Sequence, residues 1–292
     1  MSIETKQQLP EIYANKRLCA IFGRPIAHSL SPLIHNHLFE IYKLPYYYQS
    51  FEIYDLKPAI DFVRSNNLRG VSITIPFKVE VMQYLDEIAD LAKNIGAVNT
   101  IINENGKLIG DNTDAFGVIN SFKVRNINLD NKNLVVLGCG GASRAVIYGL
   151  MANFKINKIT IAGLSKELDD FVAEIKNKIK FHNIETFKLD NKKYTVTEED
   201  DVIVNATSVG MHPKINETLI DAVNSEYINK IFFDVIYNPE KTLMLKNAEK
   251  SGAEIITGID MFIYQALQQH YLWTGNTAKY SDIRHFFDES NL

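Results

Sequence analysis

Apolar runs alternate with amphipathic segments along the second half of this chain. Predicted strands lie at residues 134–137, 158–162, near 185–189, and at 202–205, 230–235 and 253–256. Between them, helical periodicity predicts helices at residues 144–152, 168–178 and 242–251. This repeated alternation is typical of a doubly wound parallel sheet, which we predict for residues 125–257. A further helix is predicted at residues 259–271, with Met261 and Gln265 on one face.

The first half shows a similar mixture, and we predict a separate α/β domain over residues 1–124, after a polar extension at 1–16. Its predicted strands lie at residues 18–22, 46–53, 71–75 and 95–102, and its helices at 33–42, 56–65, 79–88 and 115–122. The sequence Asn103-Glu104-Asn105-Gly106 predicts a hairpin turn.

Composition excludes several classes of protein. Of 292 residues, 46% are hydrophobic and 23% charged, as in ordinary globular proteins, and the net charge of -4 argues against a nucleic-acid partner. No apolar run suits a signal peptide or a membrane helix, so we expect a protein with no membrane partner. The two cysteines, Cys19 and Cys139, give no disulfide framework, which favours a cytoplasmic location.

A lysine follows one predicted strand at the position where open α/β sheets bind ligands. Val71, Ile73 and Ile75 alternate as in a strand, and Pro76 suits the first position of a helix. Thr74 would then lie at the carboxyl end of the strand and Lys78 in the first helical turn. A solvated surface lysine is the alternative interpretation.

Other polar residues are predicted at strand ends or inside apolar runs. Ser29 and Ser31 follow the first strand, and Ser31 before Pro32 is predicted to cap a helix. Asn99 interrupts a buried run, so its amide must find partners or bind a ligand. Asp114 is predicted to cap the next helix. We predict no metal site, because His35 and His37 would point to different faces of one helix.

A glycine-rich turn links a strand to a helix at Gly138-Cys139-Gly140-Gly141-Ala142-Ser143, the context of a loop that cradles phosphates. The strict fingerprint has Gly or Ala in place of Ser143, and a tight turn without a ligand is the alternative. The next strand ends without the acidic residue of an NAD site or the Arg of an NADP site. Lys166 is the nearby basic residue, so the residues alone leave the cofactor open.

Seven blocks in one order make the chain resemble the shikimate dehydrogenase family from about Leu18 to Trp273. The blocks are residues 29–32, 74–78, 96–100, 110–114, 138–143, 205–208 and 258–265. The resemblance implies a two-domain fold with a cleft between the domains, the first being completed by residues 258–292. It also implies NADP-dependent reduction of 3-dehydroshikimate to shikimate in aromatic amino acid biosynthesis.

The resemblance further implies the roles of individual residues. Lys78 and Asp114 would form the catalytic pair, in which a lysine ammonium can protonate the alkoxide that develops on hydride transfer. Substrate contacts would come from Ser29, Ser31, Thr74, Lys78, Asn99, Asp114, Tyr237 and Gln265. Cofactor contacts would come from Asp90, Gly138, Cys139, Gly140, Gly141, Ala142, Ser143, Lys166, Asn205, Thr207, Val235 and Gly258.

Two alternative functions stay open. The family usually has an Asn-Arg-Thr signature where this chain has Gly163-Leu164-Ser165, which leaves room for a shikimate/quinate dehydrogenase relative that uses NAD. A metabolite sensor without activity is the second alternative, and the presence of both Lys78 and Asp114 argues against it. We expect a monomer or homodimer.

Overall fold

A computed structural model describes residues 15–27, 29–220 and 227–290, and most of the predicted polar extension lies outside them. The helices are α1 Ser31–Ile41, α2 Leu56–Ser65, α3 Asp90–Ile95, α4 Asp114–Lys123, α5 Gly141–Asn153, α6 Ser165–Ile179, α7 Leu243–Lys250, α8 Gly258–Thr274 and α9 Tyr280–Ser290. The strands are β1 Arg17–Gly23, β2 Tyr46–Glu52, β3 Gly70–Ile73, β4 Glu87–Ile88, β5 Thr100–Glu104, β6 Lys107–Asp111, β7 Asn133–Leu137, β8 Lys158–Gly163, β9 Ile184–Lys188, β10 Val202–Asn205, β11 Ile231–Asp234 and β12 Glu254–Ile256.

The described residues form two compact units, which we call the mixed-sheet unit and the parallel-sheet unit. The mixed-sheet unit contains the residues up to Thr113 and those from Gln265 on, and the parallel-sheet unit is Asp114–Tyr264. The sequence prediction includes α4 in the first domain. In the structure α4 packs on α5, where a Cβ on Gly149 would lie 3.4 Å from the Ala115 Cβ. The start of α8 also belongs to the parallel-sheet unit.

The mixed-sheet unit has six strands in the order β2-β1-β3-β5-β6-β4. β1 pairs with β2 and β3 in parallel, whereas β5 pairs antiparallel with β3 and β6. Alternate β1 residues enter two different core clusters, Ala20 and Phe22 in one, Cys19 and Ile21 in the other with Trp273. Both faces of this strand are therefore buried, as a continuous apolar run predicts.

The parallel-sheet unit has six strands, all parallel, in the order β12-β11-β10-β7-β8-β9. Leu134 and Val136 face one core cluster, and Val135 and Leu137 face the other. The strand order reverses at β7, which lies between β8 and β10, so the loop after β7 occupies the switch point where such sheets bind ligands. The predicted doubly wound α/β fold is confirmed.

Several local predictions were wrong. Pro76 does not begin a helix: residues 75–79 form a turn, in which the Phe77 N–H donates to the Thr74 carbonyl at 2.9 Å, and a 3₁₀ helix follows at Glu80–Tyr84. The strand predicted at 95–102 begins only at Thr100, because α3 ends at Gly96 in a left-handed conformation. The sequence patterns also missed β4 and α9.

Candidate active site

The carboxyl ends of β1 and β3 lie side by side because these strands are parallel neighbours. The Thr74 N–H donates to the Phe22 carbonyl at 3.0 Å, and the Arg24 N–H donates to the Ile75 carbonyl at 2.9 Å. A Cβ on Gly23 would lie 2.2 Å from the Thr74 Cγ2, so the two chains can approach this closely only with glycine at that position. The loops that carry Ser29 and Thr74 therefore leave the sheet together.

The structure does not show the helix cap predicted for Ser31, whereas the substrate contacts predicted for Ser29 and Ser31 stay predictions. Ser31 is the first residue of α1 and its side chain makes no capping bond at the helix start; Leu30 is the N-cap. Instead, the Ser29 Oγ accepts from the Ser31 N–H at 3.3 Å. The cap prediction for Ser31 was wrong because the chain enters the helix one residue earlier. Ser31 is buried and Ser29 is half-buried.

Lys78 is half-buried and lies in the turn after β3. Its carbonyl accepts from the Val98 N–H at 2.7 Å, which ties this turn to the segment that leads into Asn99. The Asn99 carbonyl in turn accepts from the Ile73 N–H at 2.7 Å. Asn99 is thus bonded through its backbone to Ile73 at the carboxyl end of β3, and Lys78 lies in the turn that follows this strand, where the sequence predicted a helical turn.

The buried amide of Asn99 is held by Thr113 and Thr100. Its Oδ1 accepts from the Thr113 N–H at 2.8 Å and from the Thr100 Oγ1 at 2.7 Å, and its Nδ2 donates to the Thr113 Oγ1 at 3.0 Å. Nearby, burial raises the pKa of the Asp111 carboxyl, and the backbone carbonyl of Asp111 accepts from the Asn99 N–H at 3.1 Å. The expectation that Asn99 must find partners is met within its own unit.

The three remaining predicted substrate residues lie on two helices and in one loop. Asp114 is buried at the first position of α4, and Gln265 is buried on α8. Tyr237 is half-buried and stacks on Phe262, with ring centroids 3.9 Å apart. Asp90, predicted to touch the cofactor, begins α3 and is exposed. The roles assigned to these residues stay predictions.

The loop after β7 has the backbone of a phosphate-binding turn. Gly138 has φ +109°, and a Cβ there would lie 2.8 Å from the Thr207 Cγ2. A Cβ on Gly140 would meet no atom within 4 Å, so the space in front of this residue is open at the N-terminus of α5. Backbone N–H groups in such a position favour an anion. The loop therefore fits the pyrophosphate of a dinucleotide.

The side chains of this loop contribute less than its backbone. Ser143 is fully buried, and its Oγ has no hydrogen-bond partner among the described residues. Cys139 is half-buried, and burial raises the pKa of its thiol to about 11. Arg144, which the sequence analysis missed, donates to the Cys139 carbonyl at 3.2 Å and pairs with Glu174. A cationic side chain therefore lies directly under the predicted phosphate loop.

A buried carboxylate supports the neighbouring loop at Asn205–Met211. The Asn205 Nδ2 donates to both carboxylate oxygens of Asp234 at 3.1 Å, and the Thr242 Oγ1 donates to the same group at 2.7 Å. The Asn205 Oδ1 accepts from the Thr207 N–H and Oγ1. Asn205 therefore shapes this loop, and Thr207 lies against Gly138.

The end of β8 lacks an arginine, as the sequence showed. Leu164 is exposed, and Lys166 is exposed in the first turn of α6, where it pairs with Glu167 at 3.5 Å. The Ser165 N–H donates to the Asp190 carboxylate at 3.2 Å. Val235 and Gly258 lie close together, since a Cβ on Gly258 would be 2.6 Å from the Val235 carbonyl carbon.

Thr113, Gln269 and Asp234 are site residues that the sequence analysis missed. Gln269 follows Gln265 by four positions on α8, so the helical period could have placed it on the same face. Thr113 lies within the block at residues 110–114, which could have pointed to it, whereas Asp234 gave no comparable signal.

His35 is a buried core side chain. It stacks on Tyr48 at 4.5 Å between centroids, and burial lowers its pKa to about 3. No cluster of three or more His, Cys, Asp or Glu side chains suited to a metal occurs in the described ranges. None of the helices described is both long enough and apolar enough to cross a membrane.

Comparison with known proteins identifies the family. A family model described as the shikimate dehydrogenase substrate binding domain matches residues 21–101. A shikimate dehydrogenase (NADP(+)) of Alkaliphilus oremlandii is 40% identical over 264 residues, covering 88% of this chain and 91% of that protein. The chain belongs to the shikimate dehydrogenase family.

Solved structures of this family have the same fold. A shikimate dehydrogenase in complex with NADP+ is 34% identical, with a TM-score of 0.84 and coverage of 95% of this chain and 96% of that one. The Listeria monocytogenes enzyme in complex with shikimate and NAD is 28% identical, with a TM-score of 0.81 and coverage of 94% and 97%. The resemblance inferred from the seven sequence blocks is confirmed.

Proposed function

We propose that this chain catalyses the reversible NADP-dependent reduction of 3-dehydroshikimate to shikimate, a step of aromatic amino acid biosynthesis. The observation that carries the proposal is that, in a member of this family, Lys78 lies in the turn after β3 and Asn99 is bonded through its backbone to Ile73 on the same strand. When bound, the reduced cofactor NADPH would supply the hydride and would leave as NADP+. The chain's own residues must then bind the hydroxyls and carboxylate of the substrate and deliver a proton.

In this mechanism Lys78 is the proton donor for the developing alkoxide. Its ammonium both supplies a proton and places a positive charge beside the oxygen. Asp114, which directly follows Thr113 in the chain, is the second member of the proposed catalytic pair. Ser29, Ser31, Thr74, Asn99, Tyr237 and Gln265 bind the substrate. A role for Lys78 in binding alone is the alternative, and it would raise KM without lowering kcat.

The glycine loop after β7 holds the pyrophosphate through its backbone, and Lys166 is the basic residue nearest the predicted 2′-phosphate position. We propose a cytoplasmic enzyme, because both cysteines are free, as a reducing compartment permits. The expectation that the enzyme is a monomer or a homodimer stays a prediction.

The decisive experiment compares shikimate-dependent reduction of NADP and of NAD, with quinate as a second substrate. We expect kcat/KM to be highest for the pair of shikimate and NADP. Comparable rates with NAD or quinate would instead make the chain a shikimate/quinate dehydrogenase with relaxed cofactor use. Binding of shikimate without turnover under any of these conditions would contradict the proposal and favour a sensor.

A further inference from the structure

A chain of buried hydrogen bonds runs from Gln269 on α8 to the Asn99 amide, entirely within the mixed-sheet unit. The Gln269 Nε2 donates to the Thr100 Oγ1 at 2.9 Å, and the Thr100 Oγ1 donates to the Asn99 Oδ1 at 2.7 Å. All three side chains are at most 2% exposed. Buried polar chains of this kind stabilise one arrangement of their members and penalise the alternatives.

We call the hydrogen-bonded chain from Gln269 through Thr100 to Asn99 the relay. Backbone groups fix the direction of its hydrogen bonds at both ends. A peptide N–H can only donate, so the Asn99 atom that faces the Thr113 N–H at 2.8 Å must be the oxygen. A peptide carbonyl can only accept, so the Gln269 atom that lies 3.4 Å from the Asn99 carbonyl must be the nitrogen. The Thr100 hydroxyl lies between a donor and an acceptor, and it must therefore accept from Gln269 and donate to Asn99.

The other end of Gln269 is equally constrained. Its Oε1 accepts from the Ser72 Oγ at 3.0 Å, and the Ser72 Oγ accepts from the Tyr48 hydroxyl at 2.6 Å. The His35 Nε2 lies 3.3 Å from the same Oε1 and donates to it from a neutral ring. Three polar side chains thus hold the Gln269 amide in the orientation that the relay requires.

We propose that Gln269 and Thr100 are positioning residues that fix the orientation of the Asn99 amide for substrate binding. With its Oδ1 committed to Thr100 and the Thr113 N–H, Asn99 meets a substrate oxygen through its Nδ2. If the relay is broken, the amide loses one of the two donors that specify this orientation. This inference rests on the proposed function, in which Asn99 binds shikimate.

The test uses matched variants at the middle of the relay. Thr100→Val removes the hydroxyl and keeps the shape, whereas Thr100→Ser keeps the hydroxyl. From the usual contribution of one buried hydrogen bond, we expect Thr100→Val to raise the KM for shikimate about 10-fold, with the KM for NADP changed less than about twofold. Thr100→Ser should stay within about threefold of the wild type for both substrates.

Gln269→Met tests the start of the relay, and Gln268→Met, at the half-buried neighbouring position, is its control. We expect Gln269→Met to raise the KM for shikimate while Gln268→Met leaves it unchanged. The double variant Thr100→Val/Gln269→Met should be no worse in this KM than the worse single variant, because both act through one path. If Gln269→Met does not fold, the pair at Thr100 decides.

Shikimate affinity, measured by calorimetry without cofactor, distinguishes a failure of the proposed function from a failure of the relay alone. A wild type that neither binds nor turns over shikimate overturns the proposed function and the relay together. An active wild type in which Thr100→Val keeps its shikimate KM and affinity overturns the relay alone. If the two single increases in the KM for shikimate multiply in the double variant, the two residues act independently, and the relay is likewise overturned.

Discussion

The two units present polar groups to their predicted ligands in different ways. At the end of β3 in the mixed-sheet unit, the candidate groups are side chains, and Asn99 is oriented by Thr113, Thr100 and, through Thr100, Gln269. At the end of β7 in the parallel-sheet unit, the candidate groups are the backbone N–H groups of a glycine loop at the start of α5, where a Cβ on Gly140 would meet nothing within 4 Å. Side-chain recognition of a substrate therefore demands a buried supporting layer, whereas backbone recognition of a phosphate demands empty space.

Removing Lys78 should produce the largest effect. We expect Lys78→Met to lower kcat about 10³-fold, because a positioned acid typically contributes a factor of this order. Steady-state kinetics with shikimate and NADP measure it, and Lys93→Met, on the exposed face of α3 in the same unit, is the control. A raised KM with normal kcat would assign Lys78 to binding instead.

Changing the donor of Asn99 should produce the next largest effect. Asn99→Asp keeps an oxygen toward the Thr113 N–H but replaces the Nδ2 donor, so we expect kcat/KM for shikimate to fall about 100-fold. Asn103→Asp is a matched buried control, since the Asn103 Oδ1 likewise accepts a backbone N–H, that of Gly106, at 2.8 Å. Equal losses in the two variants would show that a buried charge, rather than lost recognition, is responsible.

A side chain added in the glycine loop should weaken the use of the cofactor but not that of the substrate. Gly138→Ala forces a side chain to φ +109° and against Thr207, so we expect the KM for NADP to rise about 10-fold and the free energy of unfolding to fall by about 1–3 kcal/mol. Gly106→Ala also has a positive φ, +95°, but its Cβ meets nothing within 4 Å. This control should lose stability without any change in KM; a raised KM in both variants would indicate a global effect.

The smallest expected effect concerns pH. Burial raises the pKa of the Asp234 carboxyl from its ordinary value of 3.8 to about 7. Between pH 3.8 and about 7, the Asp234 carboxyl is therefore protonated in the folded state and ionised in the unfolded state. The free energy of unfolding should rise as the pH falls through 7. Between pH 8 and pH 6 we expect a gain of roughly 1 kcal/mol from this group. Denaturant unfolding at several pH values should show that Asp234→Asn lacks this pH dependence of the free energy of unfolding. An unchanged pH dependence in the variant would assign the effect to other groups.

Local pattern was sufficient for many elements. The predicted bounds of α2 and β10 agree with the structure because each has a periodic apolar face and a clear boundary. Asp55 caps α2 by accepting from the Lys57 N–H at 3.0 Å, a bond between near neighbours in the chain. The hairpin at Asn105 and Gly106 was predicted for the same reason, since both residues have positive φ, 54° and 95°.

Local pattern failed where distant segments set the backbone. Pro76 suits the start of a helix, but the chain around it is tied to the loop after β1 through the Arg24 N–H and the Ile75 carbonyl. The apolar residues before Thr100 suggested a continuous strand, yet Val98 and Asn99 bond to the Lys78 and Asp111 segments instead. These bonds are made between residues far apart in sequence, which no periodicity reveals.

The sequence by itself determined the α/β class, the doubly wound second sheet, the glycine loop and, through seven ordered blocks, the family. Each depends on a local period or a short motif, whose physical cause lies within a few residues. Only the tertiary structure decided that Lys78 lies in a turn and that Gln269, 169 positions from Thr100, donates to the Thr100 hydroxyl beside the Asn99 amide. A buried amide accepts whichever partners the fold brings to it, and its orientation is fixed only when those partners are in place.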